Sequence, residues 1–199
     1  MVKGLWVTSN MRHVFHKWFF IWNLDKEENW INNMASHGYS LVRAGRLSFE
    51  FDETEAGKYK YKTLFLSGSA NSAKNTDFYK FIEEMGIEVV CTLNYPGTCC
   101  VYTRGLATDF PDGIEYYSDK DSRIKYLRTS LFYFIFATVF LLLAGLLNLS
   151  IGLRLANTVN VINLVEGFVL LGMCVAGAIA IIRLTIQIVK LKKDRKINE

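Results

Sequence analysis

FYFIFATVFLLLAGLL, residues 132–147, is the stretch that divides this chain. It lies within 25 consecutive residues (129–153) that carry no formal charge, bounded by Arg128 and Arg154. About 20 apolar residues suffice to cross the hydrocarbon of a bilayer. A globular core helix of this length would keep a polar face, and this one has none. Residues 129–150 therefore read as a first transmembrane helix.

A second apolar stretch, 161–189, is interrupted by Glu166 and Arg183 and reads as a second span. Arg183 stands seven residues before Lys190 and can snorkel to the nearer interface. Glu166 falls near the opposite interface. Both read as interfacial residues, with a polar contact inside the membrane as the alternative. Gly172, Ala176 and Ala180 form a small-residue stripe that allows a helix to approach closely. Packing within the hairpin, against Ala144 and Gly145, is the economical use of that stripe; a homo-oligomer seam or a partner helix is the other.

Between the spans, residues 151–160 form a short loop with Arg154 as its only charge. Arg123, Lys125 and Arg128 flank one side, and Lys190, Lys192, Lys193, Arg195 and Lys196 the other. By the positive-inside rule both flanks are expected on the cytoplasmic side of a bacterial inner membrane. The basic tail, 190–199, can also meet anionic headgroups.

Upstream the composition changes. Seven of the 23 Lys and Arg lie at or beyond Arg154 and three of the 19 Asp and Glu beyond Arg128, leaving 16 of each in residues 1–128. A formally neutral domain lacks the concentrated basic face that direct nucleic-acid binding requires. Residues 1–11 read as a flexible tail with no signal-peptide pattern, and Met11 serves as well as Met1 for a start. Cys91, Cys99, Cys100 and Cys174 have no metal-site or redox spacing and read as reduced, apolar-like thiols.

Residues 12–105 read as a cytoplasmic α+β domain. Strands are expected over 14–22, 39–44, 47–52, 58–66, 87–94 and 98–103, and helices over 25–37 and 76–85. Gly38 and Gly86 suit the helix stops, and Tyr-Pro-Gly at 95–97 suits a hairpin turn. Trp30, Ile31, Met34 and Ala35 share one face of the first helix; Phe78, Phe81, Ile82 and Met85 share one face of the second. Tyr59, Tyr61, Thr63 and Phe65 alternate with Lys58, Lys60 and Lys62, so one sheet face is read as buried and the lysines as solvated. The helix-Gly-strand passages 30–42 and 81–90 echo each other. The expected fold is a ferredoxin-like antiparallel sheet with two helices on one face. Residues 106–128 read as a connection turning into a juxtamembrane helix.

The run Trp30-Ile31-Asn32-Asn33-Met34-Ala35-Ser36-His37-Gly38-Tyr39-Ser40-Leu41 resembles the bacterial family catalogued as domain of unknown function 2812. Phe49 and Phe51, the Tyr59/Tyr61 strand, Met85-Gly86 and Tyr116-Tyr117-Ser118-Asp119 add to the likeness. Where the family has Gly-Trp, this chain has Gly86-Ile87. The resemblance covers about residues 12–125. It implies a small cytoplasmic domain with membrane helices and an association with PadR-like transcriptional regulators. It supplies no catalytic residue.

Site chemistry is sparse. His13 and His16 fall on opposite faces of a strand, and His37 suits helix-terminal carbonyls. Glu27/Glu28 and Glu83/Glu84 read as solvated helix pairs. No nucleophile elbow, zinc motif or phosphate loop occurs, so neither an enzyme nor a cofactor is expected. The reading is a membrane-tethered regulatory or adaptor module that binds a protein or small ligand. An accessory subunit of a transporter, acting through the hairpin, is the alternative.

Overall fold

The computed structural model of the protein describes residues 12–116, 119–154 and 158–197. The expected tail (1–11), Tyr117 and Ser118 of the family pattern, and the middle of the inter-span loop lie outside those residues. The chain forms two compact units that divide between Arg123 and Ile124.

In the first unit the order is β1 (His13–His16), α1 (Leu24–Ser36), β2 (Tyr39–Ala44), β3 (Ser48–Glu53), β4 (Tyr59–Ser67), α2 (Ala73–Glu84), β5 (Ile87–Tyr95) and β6 (Thr98–Leu106). All pairings within the sheets are antiparallel, and the strands form two three-stranded sheets ordered β1-β3-β2 and β4-β6-β5. Each sheet is built by one strand–helix–strand–strand half, with the last strand of the half in the middle. The likeness extends to detail. Gly38 and Gly86, both with positive φ (87° and 81°), end α1 and α2. Three to five residues later the register of each following strand shifts, between Leu41 and Arg43 and between Val89 and Cys91. Such a shift leaves one residue without a ladder partner and bends the strand. Here the extra residues are Val42 and Val90.

The first half is held by aromatic packing. Trp30 meets Phe49 and Phe51 edge-on with centroids 5.0 and 5.6 Å apart, and Ile31, Ala35, Leu41, Phe49 and Phe51 are buried. In the second half, Leu64, Ala70, Cys99 and Val101 form one buried cluster and Ile82, Ile87 and Ile114 another, both bordered by Phe78, Val89 and Tyr116. β6 is central to its sheet, and its alternate residues are covered on both faces. Cys99 and Val101 lie with α2's side chains, whereas Tyr102 reaches Glu27 on α1.

Three expectations change. The first strand stops at His16, because its partner β3 begins at Ser48 and leaves residues 17–22 no strand to pair with. Phe81 is 58% exposed rather than a core residue: α2 begins at Ala73, capped by Ser72, and its inward face runs through Asn75, Phe78, Tyr79 and Ile82. Met85 is exposed because it is the C-cap, past the last helical residue Glu84. Lys62 and Glu28 are not solvated; they form a half-buried ion pair at 3.0 Å.

The second unit contains α3 (Asp119–Arg154) and α4 (Thr158–Ile197). Residues 121–153 and 161–194 are long and apolar enough to cross a membrane, and Phe132, Phe136 and Phe140 stand exposed along α3. Two such helices are consistent with a two-pass membrane protein. They run antiparallel and close where glycines permit: a Cβ on Gly167 would come within 2.9 Å of Leu149, and one on Gly177 would collide with Thr138. Ala180 is buried, whereas Gly172 has open space around it and Ala176 is exposed, so these two stand outside the tight seam. Glu166 and Arg183 are exposed on α4.

Candidate recess where the two sheets meet

β2 and β5 carry the matching bulges, and β2 lies near β5: the Ala44 amide donates to the Cys91 sulfur at 3.2 Å. Beside this meeting line opens a recess of about 380 Å³. Ser40, Leu41 and Val42 line it from β2, Asp52 and Glu53 from β3, Tyr59 from β4, Glu88 and Val90 from β5, and Arg104 from β6. Both bulge residues, Val42 and Val90, therefore face one space. Two sheets that bend away from a common line leave room between them, which a continuous flat ladder would not.

Arg104 is the best-anchored side chain there. Its Nε and Nη2 donate to the two carboxylate oxygens of Glu88 at 2.9 and 3.0 Å, and Nη1 donates to Ser40 Oγ at 2.7 Å. The guanidinium carbon also sits 4.5 Å from the Tyr59 ring centroid, a cation–π distance. Burial opposes its charge, but the bonds to Glu88 and Tyr61 outweigh burial and raise the Arg104 pKa. Ser40 Oγ shares a 3.2 Å hydrogen bond with the Tyr61 hydroxyl, which also accepts from the Leu41 amide at 2.9 Å. One network thus joins strands of both sheets. At the rim, Glu53 pairs with His13 at 2.8 Å and Asp52 with Arg12 at 3.5 Å. A preorganised guanidinium, carboxylates and an aromatic face suit selective binding of a polar group.

α1 supplies the second polar constellation. β4 is an edge strand whose odd residues turn their backbone groups away from β6. Asn32 answers both groups of Tyr61: its Oδ1 accepts from the amide and its Nδ2 donates to the carbonyl, each at 2.9 Å. Four residues earlier, Glu28 accepts from the Thr63 amide and from Lys62 Nζ, each at 3.0 Å. The i, i+4 spacing puts these side chains on one helix face, so the helix closes an edge that would otherwise stay open. Glu27 accepts from the Tyr102 hydroxyl, and burial raises its pKa against the pull of that bond.

Of the residues singled out in sequence, Trp30, Ile31, Met34 and Gly38 sit together in the first half, and Tyr59 and Tyr61 reach the recess or its network. Gly86 ends α2, away from the recess lining. Ser40, Glu88 and Arg104 were not legible as a site, because their contacts cross 16 to 64 positions. His37 donates to the Asn33 carbonyl at 2.7 Å, a helix-end role. Burial raises the thiol pKa of Cys91, to about 11, and that of Cys100. Among the described residues, no three His, Cys, Asp or Glu side chains gather as metal ligands.

The profile of the family described as protein of unknown function (DUF2812) matches residues 23–140, from the start of α1 into the apolar part of α3. No curated protein and no solved structure matches the chain.

Proposed function

We propose, from the premise that this chain belongs to the DUF2812 family, that it is a membrane-tethered regulatory or adaptor module. Its domain binds a small polar ligand or a protein segment in the recess between the sheets. The observation that carries this reading is the recess itself, opened by paired bulges and floored by Arg104. A bare membrane anchor would have no need of an arginine held on three bonds beside open space. Charge asymmetry supports an inner-membrane orientation with both ends and the domain cytoplasmic. A PadR-like transcriptional regulator is the protein output we favour, on the family resemblance.

The test is gentle purification of the full chain from native membranes, followed by native mass spectrometry. The comparison is wild type against Thr54→Trp. Thr54 follows β3 and also lines the recess, so the substitution fills the recess from its rim. A species that accompanies wild type and is lost from the variant supports the reading. Equal recovery from both contradicts it. The accessory-subunit reading draws on Gly172 and Ala176 lying outside the hairpin seam. It predicts that Gly172→Leu abolishes co-purification with a membrane complex while Thr54→Trp does not.

A further inference from the structure

Residues 17–23, released from the first sheet, carry an exposed aromatic stack. Trp18 is 68% exposed and Phe20 45%. Their ring centroids are 4.9 Å apart, and Phe20 stacks on Trp22 at 4.8 Å with only 8° between the planes. Between them Phe19 turns inward and packs on Trp30 and Phe49, while Lys17 is exposed with its ammonium 4.8 Å from the Trp30 ring. Two rings, Trp18 and Phe20, thus stand exposed, and the half-buried Trp22 backs them. Open water is a costly place for such a cluster.

An ion pair within the first unit also ties the end of this segment to α3. Asp25, three residues after Trp22, forms a 3.1 Å ion pair with Arg123, a buried residue of the first unit. Arg123 lies on α3 six residues before the uncharged stretch begins at Thr129, about 9 Å along a helix axis. From Asp25, the seven residues back to Trp18 reach at most about 25 Å. Summed, these lengths keep the stack within about 40 Å of the uncharged stretch whichever way the domain turns. Trp is favoured at headgroup depth, where its ring meets apolar chains and its N–H meets water.

We propose that the Trp18–Phe20–Trp22 face is a lipid-contact surface that rests in the headgroup layer of the bilayer to which the domain is tethered. The contact is apolar and aromatic, so it requires no anionic lipid. It does not depend on what the recess binds.

Fluorescence quenching in vesicles tests this with the full chain. The pair W6F/W22F and W6F/W18F/W22F both retain the packed Trp30, and their difference reports Trp18 alone. Reconstitution is into phosphatidylcholine vesicles carrying a nitroxide either on the headgroup or at mid-chain. The expected result is that Trp18 is quenched by the headgroup label more than by the mid-chain label, and is shielded from aqueous iodide. Trp18 fully open to iodide and untouched by either lipid label would overturn the proposal. So would Trp18 shielded from all three quenchers, because protein would then cover the face.

Discussion

The two halves of the soluble domain share a plan and differ in what their helices do. Each runs strand, helix, strand, strand, ends its helix at a positive-φ glycine and shifts register three to five residues later. α2 stays on the sheet of its own half, where Ile82 joins Ile87 and Ile114. α1 packs on its own sheet through Trp30 and also crosses: Glu27, Glu28 and Asn32 all bond to the other half. The difference teaches how two halves of one plan become one domain. One half lends its helix to close the other's open edge, and the recess forms where the halves then meet.

The largest expected effect comes from removing that loan. Asn32→Ala leaves the amide and carbonyl of Tyr61 without their protein partners, at a cost of about 2–4 kcal/mol. Denaturant unfolding should show the loss, and hydrogen exchange should place it in β4, in the half that was not mutated. Loss of protection confined to the first half would break the comparison.

The two helix-ending glycines sharpen it. A Cβ on Gly86 meets nothing within 4 Å, so Gly86→Ala carries only left-handed strain of about 1–2 kcal/mol. A Cβ on Gly38 comes 3.0 Å from the Thr54 carbonyl oxygen, so Gly38→Ala should cost more. Equal shifts in melting temperature would show that the carbonyl yields.

Glu27 gives a pH test of the crossing helix. Its folded pKa is raised above the ordinary 4.5, first by burial, so the folded state favours the protonated acid. That contribution is fully present below the unfolded pKa and is lost as pH rises through the folded one. Glu27→Gln should therefore gain on wild type as pH rises from 4.5 toward neutrality, and its unfolding midpoint should vary less over that window. A constant difference between the two curves would contradict the shift.

Phe81→Ser is expected to change stability least, by no more than about 0.5 kcal/mol, because the ring is mostly exposed. A loss of several times that size, seen in the same melts, would return Phe81 to the core.

The element order, the helix-stopping glycines and the two spans were legible because each is written in a local pattern. An apolar run, a 3-to-4 spacing and a strand alternation need no partner to be recognised. The recess and the edge closure were not legible, since both depend on pairing between distant residues. Nothing near Val42 or Val90 announces a bulge, and Glu28 read as a solvated acid until Lys62, 34 positions away, was seen beside it. Phe81 misled for a related reason: it stands beside Phe78 and Ile82 in the pattern, but packing turns the inward face toward Asn75 and Tyr79 instead.

Site-specific photo-crosslinking in native bacterial membranes tests the central claim most directly. A benzophenone side chain replaces Thr54 at the recess rim in one protein and Ala176 on the outer face of α4 in another. Adducts from position 54 that disappear when Arg104→Ala is added are the predicted result. Adducts from position 176 alone would contradict the account and place the function in the membrane.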